Sequence, residues 1–245
     1  FDPRAAKGPF CDKGAAAMTA TTLFSLKTDA AGAYDGASRG IAVTKAGAAR
    51  QLKSDGAFRL DKGRLQLARH EDLDALQSFT LEATIKPKSV GKPRRNILEA
   101  QSPAVALFLE DGKLVGSVHT EKGWMRFDSG ARKIDPGKEV RVGFTRDGKG
   151  RMRLLLDGKA VGGAAAEEDL RAVGETGFTV GAWVDGARHA FLGEISGVEI
   201  ARGTVTRKAM AGKLRAERRI ARGFKRRTGL ERVNVRLNPN YGDSR

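Results

Sequence analysis

The chain has 245 residues, 40% of them hydrophobic, and a formal net charge of +16. This length allows one large β domain or two small ones. No apolar run approaches the roughly 18 residues of a membrane span, and a single cysteine, Cys11, excludes an internal disulfide. The charge is concentrated at one end, because residues 203–245 hold 13 Lys and Arg against 3 Asp and Glu, whereas the other 202 residues hold 32 against 26.

The first 18 residues are rich in Ala, Gly and Lys and have no hydrophobic period, which predicts an extended or loosely docked arm. A β domain is expected over residues 19–202, beginning with a strand near 22–26. The sequence HEDLDAL at 70–76 predicts a short turn of helix.

The strongest strand pattern is SFTLEATIKP at 78–87. Its polar residues Thr80, Glu82 and Thr84 face one way, and the alternating apolar residues face the other: Phe79, Leu81, Ala83 and Ile85. Asp-Gly turns at 111–112, 147–148 and 157–158 separate further alternating runs, since turn residues between paired strands often need positive φ. The pattern predicts a meander of antiparallel strands.

Three segments, in this order, resemble laminin G-like domains of the concanavalin A-like jelly-roll family. They are GAFRLDKGRLQLARHEDLDALQSFTLEATIKP, VRVGFTRDGKGRMRLLLDGKAVGG and GFTVGAW followed by FLGEISGVEIAR. The resemblance covers roughly residues 19–202 and implies an all-β fold, a sandwich of two antiparallel sheets, one of them concave. It implies no single function, because this fold hosts lectins, adhesion modules, polysaccharide hydrolases and spacer domains.

We expect no enzyme. Glycoside hydrolases of this fold carry catalytic carboxylates at alternate positions of one strand, because two carboxyl groups must flank one glycosidic bond. That spacing is absent, and Glu194 and Glu199, five apart, are expected to face opposite sides. The three histidines, His70, His119 and His189, are far apart and lack neighbouring Cys, which argues against a zinc site.

Some laminin G-like domains bind calcium at a loop rim through Asp side chains and carbonyl groups. The candidates here are Asp128, Asp135, Asp147 and Asp157. None matches the ligands of the family, so turn formation is the expected role of these residues and no cofactor is predicted.

A candidate ligand site lies on the hairpin LVGSVHTEKGWMRFDSG. With its apolar residues turned inward, His119, Trp124 and Arg126 project from the opposite face, and His119 and Trp124 are expected to be cross-strand partners. An indole with cations suits acidic sugars; the alternative is that a loop or the arm covers the tryptophan. Trp183 belongs either to the same face or to a surface buried under the C-terminal segment.

Residues 203–245 are predicted to form a basic helix and a polar tail. An apolar stripe recurs at roughly helical spacing: Met210, Leu214, Ile220 and Phe224. If the stripe docks on the sandwich, a cluster that faces solvent would attract polyanions: Arg215, Arg218, Arg219, Arg222, Lys225, Arg226 and Arg227. Nucleic acid is not an expected partner, because no nucleic-acid-binding fold or set of interleaved aromatic residues accompanies the charge.

Two functions remain open. The first is a non-catalytic recognition module, extracellular or surface-exposed, that binds acidic glycan or another polyanionic surface. The alternative is a structural module or processed fragment of a larger assembly, whose terminal arms grip neighbouring subunits. The start at Phe1, in place of Met, and the two unusual termini favour the alternative, whereas the tryptophan face favours the first.

Overall fold

The computed structural model describes residues 20–28, 34–35, 41–52, 57–186 and 188–204. The predicted arm at 1–18, Cys11, and the predicted helix and tail beyond residue 204 lie outside these ranges. Within the ranges, the chain forms strands, loops and a short helix, α1 (Glu71–Asp74), where the sequence predicted one. No helix in this part of the chain is long and apolar enough to cross a membrane.

The strands follow in chain order: β1 (Thr21–Ser25), β2 (Lys27–Thr28), β3 (Tyr34–Asp35), β4 (Val43–Ala46), β5 (Arg50–Gln51), β6 (Phe58–Arg59), β7 (Arg64–Leu67), β8 (Phe79–Pro87), β9 (Arg95–Gln101), β10 (Ala104–Glu110), β11 (Lys113–Thr120), β12 (Gly123–Lys133), β13 (Val140–Arg146), β14 (Arg151–Leu156), β15 (Lys159–Ala165), β16 (Thr179–Val180) and β17 (Gly193–Arg202).

Two antiparallel sheets form the sandwich, which confirms the predicted fold class. Sheet I has the order β15-β14-β13-β8-β17-β6-β5, and β1 also pairs with β17. Sheet II has the order β12-β11-β10-β9-β16-β7-β4, while β2 and β3 form a separate pair.

The core lies between the two sheets and is built by the period-two alternation. The apolar face of β8 is fully buried: Phe79, Leu81, Ala83 and Ile85. Phe144 of sheet I packs edge-on against Phe79 at 5.1 Å between ring centroids, and against Phe127 of sheet II at 5.7 Å. The aromatic contact across the interior holds the sheets together, since burial of such side chains dominates core stability.

Two of the three Asp-Gly turns have the predicted geometry. Both residues take positive φ at Asp111-Gly112 (50° and 75°) and at Asp157-Gly158 (47° and 76°). The third turn, at Asp147-Gly148, differs from the predicted two-residue form. The loop after β13 has four residues, and the positive φ, 73°, falls on Gly150.

The chain changes sheet at the turn between β6 and β7. β6 belongs to sheet I and β7 to sheet II, although only residues 60–63 separate them. Lys62 takes a φ of 69° there. The alternating residues before this turn therefore belong to sheet I and those after it to sheet II, so the two strands do not form one hairpin.

A β-bulge in β17 overturns the expectation that Glu194 and Glu199 face opposite sides. Glu194 pairs with Lys86 and Glu199 pairs with Glu82, and these partners are four residues apart on the same face of β8. The register shifts between Ser196 and Glu199, which inserts the extra residue that a bulge accommodates. Both carboxylates therefore lie on the outer face of sheet I.

Candidate functional site: the outer face of sheet II

The hairpin of β11 and β12 presents the predicted aromatic pair. His119 and Trp124 are cross-strand partners, with ring centroids 5.0 Å apart. Trp124 is 56% exposed, which is unusual for so large an apolar side chain. No described loop buries it, and the arm named in the alternative lies outside the described residues. Whether the pair binds a ligand stays a prediction.

Arg126 follows on the same face of β12 and leans across the sheet. Its guanidinium forms an ion pair with Glu110 of β10 and lies 5.7 Å from the ring centroid of Phe108. The side chain of Arg126 is 57% exposed, so it is available to solvent as well as to this partner.

A small apolar cluster, separate from the core, forms the floor of this face: Ala106, Phe108 and Val115. Phe108 and Val115 are cross-strand partners. All three are nearly fully buried although they face away from the interior, because side chains lie over them. Two of these are guanidinium groups on the ring of Phe108, Arg94 at 4.1 Å and Arg126, a cation–π arrangement.

A buried carboxyl lies beside this floor. Glu99 is 3% exposed and accepts a hydrogen bond from Arg94 Nη2 at 3.1 Å. Asn96 also donates to Glu99, and its own carbonyl oxygen accepts from Arg94 Nε at 2.7 Å. Burial raises the pKa of Glu99 to about 7, although Arg94 and Asn96 act in the opposite direction.

Trp183 lies on the same side of the molecule as this cluster, in a loop and not in the strand that was predicted to contain it. The strand β16 ends at Val180, and Gly181 takes a φ of 90°. The half-buried indole lies 5.3 Å from the guanidinium of Arg94, which therefore stands between Phe108 and Trp183.

His189 packs edge-on against Trp183, with ring centroids 5.9 Å apart. Burial lowers the pKa of His189, and the positive charges of Arg94 and Arg188 lower it further. His189 is therefore neutral at neutral pH, and the cations of this face are its arginines.

The four candidate calcium ligands take part in other interactions in the described loops. The candidate carboxylates form turns and ion pairs of their own: Asp128 with Gly130 and Lys113, Asp135 with Lys138, Asp147 with Lys149 and Arg151, and Asp157 with Arg141. In the described part of the chain, no three His, Cys, Asp or Glu side chains come together as metal ligands would.

The predicted polyanion cluster, Arg215 to Arg227, lies outside the described residues. Sequence reasoning missed four residues that the structure brings together: Arg94, Asn96, Glu99 and Phe108. The available signal was a lone Glu beside the apolar residues Ile97, Leu98 and Ala100 in the strand sequence NILEA. A bulge at Ile97 hid its direction, because Phe108 pairs with Asn96 while Leu107 pairs with Leu98.

The two-sheet architecture defines a jelly-roll sandwich of the laminin G-like class. The profile described as the concanavalin A-like lectin/glucanases superfamily matches residues 60–210, more than half of the chain, and the chain belongs to that superfamily. No curated protein sequence matches the chain.

Solved structures share the fold at low sequence identity. The binding domain of botulinum neurotoxin DC in complex with SialylT has a TM-score of 0.64 and 14% identity over 80% of this chain. A structure of botulinum neurotoxin type C, whose cell entry depends on interaction with two ganglioside molecules, gives 0.63 and 14% over the same share. The DC binding domain in complex with rat synaptotagmin II gives 0.64 and 14%, again over 80%. This chain spans 51% of the length of each.

Proposed function

We propose that the chain is a non-catalytic recognition module that binds acidic glycan on the outer face of sheet II. The observation that carries this proposal is the exposed Trp124, which contacts the ring of His119 at a 57° tilt and is followed on the same face by the cation of Arg126. The flat apolar face of a sugar ring packs on an indole, and a guanidinium pairs with a carboxylate or sulfate group. The ganglioside interaction of the type C neurotoxin supports a glycan ligand.

The ligand is an oligosaccharide in this proposal, because a second indole lies across the sheet. Trp124 is on β12, and Trp183 directly follows β16, four strands away in sheet II. Neighbouring strands are about 4.8 Å apart, so the two indoles are separated by roughly 19 Å across the strands. One sugar ring contacts either tryptophan, whereas several linked rings contact both.

The site is better suited to binding than to hydrolysis. Glu99 and Glu110 both lie on this face, but Glu99 pairs with Ala106, four residues from Glu110 along β10. At about 3.3 Å per residue this is roughly 13 Å along the strand, beyond the roughly 5–10 Å between the carboxyl groups of glycosidases. We therefore expect no turnover of β-glucan, alginate or chitin.

A glycan array probed with the full chain at low and at physiological salt tests the proposal. We expect binding to acidic oligosaccharides that weakens as salt rises, and a loss of at least about fivefold for Trp124→Ala, since a stacked ring contributes about 1–3 kcal/mol. Arg153→Ala is the control, because Arg153 is exposed on β14 of sheet I, the sheet opposite the hairpin. Equal binding by Trp124→Ala and wild type would contradict the site.

Assembly is the second candidate, because an exposed tryptophan also suits a protein partner and the DC binding domain was found in complex with synaptotagmin II. In that case Trp124→Ala would change the sedimentation or the partner capture of the chain. Neither the wild type nor the Trp124→Ala variant would then bind glycan. The extracellular location stays part of the first proposal, and detection of the protein on intact cells tests it.

A further inference from the structure

The outer face of sheet I is buried although the core lies on the opposite side. Thr80 pairs with Thr145 on β13 and with Ala201 on β17, and these three side chains are 3%, 6% and 3% exposed. Leu155, one row along on β14, is 8% exposed. Short side chains on a sheet face that is open to water keep much of their surface exposed.

Described groups account for only part of this burial: Gly203 lies over Thr80, and the side chain of Leu155 lies over Gly143. Sheet II packs on the other face of sheet I, and no described helix or strand runs across the centre of the outer face. At the centre Gly143 has no side chain, and Leu155 lies over it, with Cδ1 3.2 Å from the place where a Cβ would be. A covering segment would therefore contact Leu155 there.

The same face carries two adjacent carboxylates. Glu82 and Glu199 are directly opposite one another on β8 and β17. Arg141 Nη2 donates to Glu82 at 2.6 Å, and Thr22 Oγ1 donates to Glu199 at 3.0 Å. Two carboxylates at opposed positions make this part of the face acidic, which suits a basic occupant.

We propose that the occupant is the chain's own C-terminal segment, residues 204–245, which docks across β13, β8 and β17. The segment starts at this face, because Gly203 donates its N–H to Ser78 O and its carbonyl oxygen accepts from Thr80 Oγ1 at 2.9 Å. Its charge complements the Glu82–Glu199 pair, since residues 203–245 hold 13 Lys and Arg against 3 Asp and Glu.

The apolar residues of the segment match the rest of the face. Met210, Leu214, Ile220 and Phe224 recur at roughly helical spacing, and Leu155, which lies over Gly143, and Ala201 are apolar residues of this face. This proposal does not depend on the glycan site, which lies on the other sheet.

Thiol labelling of the full chain tests the docking. In a Cys11→Ser background, Leu155→Cys reports on the covered face and Arg126→Cys reports on the exposed face of sheet II. We expect Leu155→Cys to react at least tenfold more slowly than Arg126→Cys. At helical spacing Lys213 and Arg227 fall on the side of the apolar stripe. Reversing the tail charge on that side, with Lys213 and Arg227 both changed to Glu, should raise the rate at position 155 at least tenfold and leave position 126 unchanged.

A charge-swap variant guards against a general loss of folding. Glu199→Arg alone should also expose position 155, and Glu199→Arg combined with the reversed tail should restore slow labelling. If labelling at position 155 stays slow with the reversed tail, or rises only when residues 1–18 are removed, the N-terminal arm or another segment covers the face and the proposal is wrong. Failure of the double variant to restore slow labelling also contradicts it.

Discussion

The guanidinium of Arg94 lies 4.1 Å above the ring centroid of Phe108. The same group donates to Glu99 and Asn96, so a single side chain links the apolar floor of sheet II to its buried carboxyl. Burial lowers the pKa of Arg94, yet an arginine remains charged at any physiological pH.

Arg94→Lys is expected to destabilise the fold by about 1–2 kcal/mol, because an ammonium retains the charge but loses the planar contact with Phe108 and one of the two hydrogen bonds. Urea unfolding measures the change. Arg59→Lys is the control, since the side chain of Arg59 is 50% exposed and forms a surface ion pair with Glu194 on the other sheet. Equal stability of the two variants would show that the stacking on Phe108 is unimportant.

Glu99→Gln is expected to remove a pH dependence of stability. The pKa of Glu99 is about 7 in the folded chain, against an ordinary value of 4.5, so the folded state holds a proton that the unfolded chain releases. Its stabilising contribution is complete below about pH 4.5 and is lost as the pH rises through about 7, with a span on the order of 3 kcal/mol. Unfolding free energies at acid and at mildly alkaline pH measure it.

The difference between wild type and Glu99→Gln isolates this group, because His189, whose lowered pKa acts with the opposite sign, is present in both. Glu175→Gln, at an exposed carboxyl, should reproduce the wild-type profile. Parallel profiles for wild type and Glu99→Gln would mean that Glu99 stays ionised.

Arg146→Met is expected to cost at least about 3 kcal/mol of stability. Arg146 is 3% exposed and its guanidinium donates to three backbone carbonyls: Gln77, Ala166 and Glu168. Buried carbonyls without partners are costly. Arg153→Met, on the neighbouring strand at an exposed position, should change the unfolding free energy by less than about 0.5 kcal/mol. Similar losses of unfolding free energy in both variants would show that the three hydrogen bonds of Arg146 to backbone carbonyls do not stabilise the fold.

Gly150→Ala is expected to destabilise the chain by more than about 2 kcal/mol, because φ is 73° and a Cβ would lie 1.8 Å from the carbonyl oxygen of Ala166. Gly148, the glycine of the Asp-Gly pair, has open space around it. Gly148→Ala should therefore cost less than about 1 kcal/mol, as thermal unfolding can check. A larger cost for Gly148→Ala than for Gly150→Ala would mean that the turn has the two-residue form predicted from Asp147-Gly148.

Local patterns were sufficient for much of the fold. The alternation in β8 and the hairpin that pairs His119 with Trp124 depend on period two and on a turn of two residues, and both are visible in the sequence. Such elements are predictable because the residues that decide them are neighbours in the chain.

The cluster of Arg94, Asn96 and Glu99 on the outer face of sheet II could not be predicted in the same way. Glu99 lies beside Thr179 of β16, 80 residues away, and the loop after β16 carries Trp183. The bulges in β9 and β17 each shift the alternation by one residue, which reverses the face of every later side chain. That shift produced the wrong assignment of Glu194 and Glu199.

The place of β17 in sheet I has a consequence for biosynthesis. It is the last described strand, yet it lies between β8 on one side and β6 and β1 on the other, and Thr21 pairs with Arg202. During translation, β8 and β6 therefore emerge from the ribosome long before the strand that joins them. Their unpaired edges are open to other chains in that interval, so we expect the yield of native protein to depend on slow, chaperone-protected release of the nascent chain.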